Sequence, residues 1–130
     1  MRMNGMTSLW ARTALIWFLL TLLFGMAMGM TQAFEYAPAH AHLGVLGWLS
    51  SAVFALIYGV SREWPAGARV PVLHWAAHNL GLIVMGGALF MFLRSGDAGW
   101  EPFIAIGGTV IFPAAVWLTI MMWSRLGVAS

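Results

Sequence analysis

Four stretches of this chain carry no Asp, Glu, Lys or Arg: Thr13 to Ala33, Ala39 to Ser61, Val70 to Leu93 and Pro102 to Ser124. Each reaches the roughly 20 residues that a helix needs to cross a bilayer at about 1.5 Å rise per residue. Composition points the same way. Of the 130 residues, 62% are hydrophobic and 8% are charged, against about 25% charged in a soluble domain. The expectation is one all-α domain over residues 1–130, an integral membrane four-helix bundle with helices at about 10–34, 39–61, 70–94 and 102–124. The first stretch is longer than the roughly 7–15 apolar residues of a signal peptide, and Met26-Ala27-Met28-Gly29-Met30 before Thr31-Gln32 makes a poor cleavage site, so it counts as the first helix. Short connections make consecutive helices antiparallel neighbours. Gly25 and Gly29, Gly44 and Gly47, and Gly81 and Gly86 offer faces for close approach.

Charge placement orients the bundle. Arg2, Arg12, Arg62, Arg69 and Arg125 fall on one side and Arg94 alone on the other, which by the positive-inside rule puts both termini in the cytoplasm of a bacterial inner membrane. Trp10, Trp64, Trp100 and Trp123 sit at expected helix ends, where indoles favour the headgroup layer. The basic residues are six Arg with no Lys and no basic run, so they describe loops and exclude a nucleic-acid partner. With no cysteine, disulfides, thiolate metal sites and iron–sulfur clusters are excluded together. Glu35, Glu63, Asp97 and Glu101 all fall in loops or at helix ends, so no embedded carboxylate offers a proton path. Neither a phosphate-binding glycine loop nor a hydrolase nucleophile motif is present.

The histidines carry the information. His40, His42, His74 and His78 all fall within or at the ends of the apolar stretches, where an ionisable side chain without a partner is costly. Two residues apart on a helix, His40 and His42 face opposite ways; four apart, His74 and His78 share a face. The first pair opens helix two on the outer side and the second lies in the first turns of helix three on the inner side, which argues against one four-histidine cage. A symmetric oligomer could supply the missing ligands to His40 and His42. Imidazole suits haem iron, copper and zinc. For His74 and His78 the readings are a second metal, a quinone headgroup, or hydrogen bonds to Trp75, Asn79 or neighbouring helices.

The segment His40-Ala41-His42-Leu43-Gly44-Val45-Leu46-Gly47-Trp48 resembles the His-x-His-x-Gly-x-Leu-Gly-Trp segment in the tenth helix of haem-copper oxidase catalytic subunits, especially those of the C-family. Leu56-Ile57-Tyr58-Gly59-Val60 and Trp64-Pro65 look like the inner end of that helix, and Leu73-His74-Trp75 through Gly81 like the opening of the next. The NnrS family of nitric-oxide-response haem proteins has a similar His-x-His opening. The resemblance implies that His40 and His42 are axial ligands of haem b, on opposite sides of the helix, with Trp48 in the haem pocket. It also implies a homotrimer, because the oxidase subunit has three quasi-equivalent sets of four helices in a twelve-helix ring and this chain has one such set. The implied work is electron transfer or oxygen or nitric oxide chemistry, in the manner of an oxidoreductase, with the redox partner open and a quinol among the candidates. The outer half of helix three has no His for a copper site, which argues against a full oxygen reductase.

Two other readings stand beside this one. Met26 and Met30 share a face at the depth of His40 and His42, and thioether with imidazole suits Cu(I), so the chain reads alternatively as a copper-binding or copper-transfer membrane protein. The third reading is a structural small membrane subunit.

Overall fold

The computed structural model describes residues 4–61, 64 and 67–126. Within them the chain is helical nearly throughout. Helix α1 spans Gly5–Thr31. Helix α2 is the continuous span Phe34–Val60, whose middle, Leu43–Leu49, is π-helical. Helix α3 spans Val70–Ser95 and α4 spans Glu101–Trp123 behind a 3-10 turn at Ala98–Trp100. All four are long and apolar enough to cross a membrane, and the leucines and isoleucines that face away from the bundle, Leu19 and Leu23 among them, lie on its outer surface. This is a multi-pass membrane bundle by length and composition.

Local signals set the helix ends. Asn4 caps α1 by accepting from the Thr7 amide at 2.8 Å, which satisfies one of the free N–H groups of a first turn. That cap starts the helix at Gly5, about five residues earlier than expected, and puts Arg12 well inside α1. At 26 or 27 residues the spans exceed the roughly 30 Å of hydrocarbon, so Arg12, exposed in the second turn, has room to reach the headgroups. The same Asn4 donates to the Tyr58 carbonyl at 3.0 Å and ties the start of α1 to the end of α2. Gln32 and Gly96, both in the left-handed region, close α1 and α3. Pro38, Pro71 and Pro102 lie in first turns, where a missing N–H costs nothing.

Two antiparallel hairpins, α1–α2 and α3–α4, make up the bundle. In the first, glycines on one helix meet larger side chains on the other. A Cβ at Gly25 would stand 2.8 Å from the His40 ring, and Gly44, Gly47 and Gly59 face Thr21, Trp17 and Thr7. The paired numbers add to nearly the same total, as an antiparallel register requires. In the second, Gly81 and Gly107 bring α3 and α4 backbone to backbone, since a Cβ at Gly107 would reach 2.5 Å from the Gly81 carbonyl. Gly29 meets nothing within 4 Å and Gly86 only the tip of Leu43 at 3.8 Å, so these two expected close-packing residues do not serve that role within the chain.

The hairpins meet where α3 packs on α2 and on α1, which runs parallel to it. Trp17 donates its indole N–H to Asn79 Oδ1 and Trp75 donates to Thr13 Oγ1, each at 2.9 Å, and both bonds join residues 62 apart. Asn79 in turn donates to the Trp75 carbonyl, and Thr13 to that of Leu9. Inter-helix bonds of this kind in membranes are worth about 0.6 kcal/mol on average and up to about 1.7. A double-mutant cycle on Trp17→Phe and Asn79→Leu, measured by unfolding in mixed detergent, should therefore return a coupling in that range. Gly107→Val should be more harmful than either, at about 1–3 kcal/mol.

Candidate functional site

The four histidines form two pairs at opposite ends of the bundle, as their sequence positions imply. His40 and His42 lie one to two turns into α2, at the end where α1 closes; His74 and His78 lie in the second and third turns of α3, at the end where α1 starts. They do not form one cage, and among the described residues no group of three His, Asp or Glu gathers that would hold a metal.

Within the first pair the rings point to different surroundings. His40 is half-buried in the α1–α2 seam, its ring over Gly25 and edge-on to Phe24 at 6.0 Å, with Nδ1 enclosed and without a hydrogen-bond partner. His42 is exposed on the outer surface of α2 beside a shallow apolar recess of about 290 Å³, shared with Ala41, Val45 and Leu46. Its Nδ1 lies 2.7 Å from the Pro38 carbonyl. A carbonyl only accepts, so Nδ1 carries the proton and Nε2 keeps its lone pair. This is the arrangement that metal-ligating histidines use, one nitrogen fixed by a backbone carbonyl and the other free to bind. Trp48, two turns on, is partly exposed and tilts against Phe18 at 5.0 Å. Met26 and Met30 are 62% and 82% exposed, whereas the neighbouring Gly25 is the residue that faces His40. The thioethers stand on the outside of α1.

The second pair is enclosed. His74 and His78 are each 1% exposed and pack with Trp10 and Phe54 in a four-ring cluster whose centroids lie 4.9 to 6.3 Å apart. Tyr58 Oη lies 3.2 Å from His74 Nδ1. His78 Nε2 donates to the Leu46 carbonyl at 2.8 Å, which leaves the lone pair on Nδ1. The expected bonds to neighbouring helices are thus present. Trp75 and Asn79 bond α1 instead.

The Leu46 acceptor exists because α2 is π-helical there. The Ser50 amide bonds to the Val45 carbonyl, one residue further back than in an α-helix, and this releases the Leu46 carbonyl from its α-helical donor. Such widened turns mark functional positions. The turn also spans Leu43 to Trp48 of the His-x-His segment, and Gly44 and Gly47 within it let Thr21 and Trp17 approach.

Of the four tryptophans placed at the membrane surface from sequence, Trp123 is 84% exposed and Trp100 packs on Phe103 in the loop before α4. Trp64 lies under the Arg125 guanidinium at 3.8 Å. Trp10 is a correction: it is fully buried, because α1 starts at Gly5 and carries Trp10 inward to face His74 and His78. Glu35, Asp97 and Glu101 are exposed, as expected of solvated loop charge. Arg12, Arg69 and Arg125 gather at one end of the bundle and Arg94 lies in the last turn of α3 at the other; Arg2, Arg62, Glu63 and Pro65 lie outside the described residues.

Histidine tautomers are directly measurable. Ring ¹⁵N spectra should show His42 protonated at Nδ1 and His78 at Nε2; a common Nε2–H tautomer for both would contradict the Pro38 contact. Comparison with protein-family models, with curated proteins and with solved structures gives no match to this chain.

Proposed function

We propose that this protein is a haem b-binding membrane protein that works in one-electron transfer or in oxygen or nitric oxide chemistry, with His42 as an axial ligand contributed at a boundary between chains. The observation that carries the reading is the His42 ring: Nδ1 is fixed by the Pro38 carbonyl, Nε2 is free, and the side chain stands over an apolar recess on the outer surface of the bundle. The recess offers one apolar face to a flat macrocycle, and among the described residues the only hydrogen bond of the His42 ring is the one to Pro38. The resemblance of His40 to Trp48 to the oxidase segment supports the same assignment.

His40, on the other face of the helix, is the second candidate ligand. Its Nδ1 is enclosed and unpaired, and the glycine cradle at Gly25 holds the ring in the α1–α2 seam. Since the two rings point apart, one chain does not close both axial positions of one iron with them. The reading therefore includes a neighbouring chain at each His42 surface, and the resemblance to the oxidase subunit implies that three chains assemble into a twelve-helix ring. Haem, when bound, supplies a one-electron couple; two axial imidazoles favour electron transfer, and one leaves a position for a diatomic gas. The chain contributes the ligands, their tautomers and an apolar surround. The Arg asymmetry supports an orientation with both termini on the cytoplasmic side, and the reading places the protein in a bacterial inner membrane.

The test is an absorption spectrum of detergent-purified protein, oxidised and dithionite-reduced, with the mass of the assembly measured on the same sample. Sharp reduced bands in the native protein and their loss in His42→Ala are expected. Because His42 is exposed, the substitution should leave the fold intact by circular dichroism. A protein that stays colourless after haem is supplied, or a His42→Ala spectrum equal to the native one, would overturn the reading.

A further inference from the structure

The proposed haem ligation uses neither histidine of the second pair. Each has one ring nitrogen fixed and one enclosed without a hydrogen-bond partner: Nε2 of His74 and Nδ1 of His78. For His78 the bond to Leu46 leaves a lone pair on that free nitrogen. For His74 the tautomer that donates from Nδ1 to Tyr58 Oη does the same. In that tautomer the two enclosed nitrogens, on one helix face and sealed from lipid and water, offer a pair of lone pairs to a ligand.

The spacing fits a single ion. With metal–nitrogen bonds of about 2 Å, two imidazoles whose free nitrogens bind one two-coordinate ion from opposite sides hold their ring centroids about 6 Å apart, a separation that the His74 and His78 rings match at 6.3 Å with their planes tilted by 50°. The midpoint between them lies about 4 Å from the ring centroids of both Trp10 and Phe54, which wall it with apolar surface. The rings pack too closely for a quinone headgroup.

The surroundings select the charge and softness of the ion. No carboxylate adjoins the cluster among the described residues, so a divalent ion would bring two uncompensated charges into an apolar interior. A monovalent soft ion brings one, and two neutral imidazoles suffice for it. Met122, 3% exposed, closes the same core beside Trp10 and Tyr58, and a thioether is a further soft donor. We infer that His74 and His78 form a buried Cu(I) site, framed by Trp10, Phe54 and Tyr58, that is distinct from the outer His42 surface.

The test is titration of the purified, reduced protein with Cu(I) against a chromophoric competing chelator. One Cu(I) per chain is expected, with nitrogen scatterers at about 2 Å in X-ray absorption. His78→Gln keeps an N–H donor for the Leu46 carbonyl and should fold, yet lose affinity by more than the about 10–100-fold that removal of an outer partner causes; Tyr58→Phe should fall within that range with the stoichiometry unchanged. His42→Ala should abolish the haem bands and retain Cu(I), so failure of either assignment is read separately. Absence of Cu(I) binding by the native protein, unchanged affinity in folded His78→Gln, or loss of binding in Met26→Leu/Met30→Leu would each overturn the inference.

Discussion

Two indole N–H bonds between parallel helices hold the architecture in register. The Trp17–Asn79 and Trp75–Thr13 bonds have the same length and the same sequence separation, so a slip of α3 along α1 breaks both at once. In hydrocarbon a displaced indole or amide finds no water to replace the lost partner. The pair therefore acts as a ratchet with one stable setting. That setting carries Trp10, two turns before Trp17, to the level of His74 and His78, and places α2 where Phe54 and Tyr58 complete the ring cluster. The glycine contacts of the two hairpins then close the bundle around it.

The π-helical turn is the second constraint, and it serves both ends. By shifting the Ser50 amide to Val45 it frees Leu46 to fix His78. It begins at Leu43, directly after His42, so Ala37–His42 keeps α-helical geometry and the Pro38 carbonyl stays within reach of the His42 ring. The π-turn of α2 thus holds the carbonyl that sets the tautomer of His78 on α3, and the α-helical turn before it holds the carbonyl that sets that of His42. His42 and His78 are held in opposite tautomers, but by the same device, a backbone carbonyl that accepts from one ring nitrogen.

Much of this was legible in the sequence because apolar length and helical angle are one-dimensional properties. The four spans follow from uncharged runs. The opposite facing of His40 and His42, the shared face of His74 and His78 and the separation of the pairs follow from spacing and order alone. What the sequence did not reveal depends on contacts between helices. Trp10 reads as a surface anchor from its position near a helix end, whereas the Asn4 cap moves it inward and Phe54, Tyr58, His74, His78 and Met122 of the other three helices bury it. The π-turn has a faint signal in Gly44 and Gly47, which equally describes ordinary close packing. The Trp17–Asn79 and Trp75–Thr13 ladder has a clearer one: a polar residue and a tryptophan four apart on each of two helices. Met26 and Met30 share a face, as spacing predicts, but spacing does not say which face the bundle covers, and it covers the other.

The two pairs differ in what completes them. His74 and His78 are sealed by side chains of their own chain, so occupancy of a site between them is independent of assembly. His42 is not sealed. Its free nitrogen points out of the bundle, and a large group bound there has one face on this chain and the other facing outward. Covering that second face removes apolar area from lipid contact and brings in whatever ligand the neighbour carries. Occupancy and association are then linked by mass action, each favouring the other to the same extent, whereas the buried pair carries no such linkage. On the proposed reading, an outer site that forms as chains associate and an inner site that each chain builds alone trace to the α1–α2 seam, which encloses His40 and leaves His42 exposed.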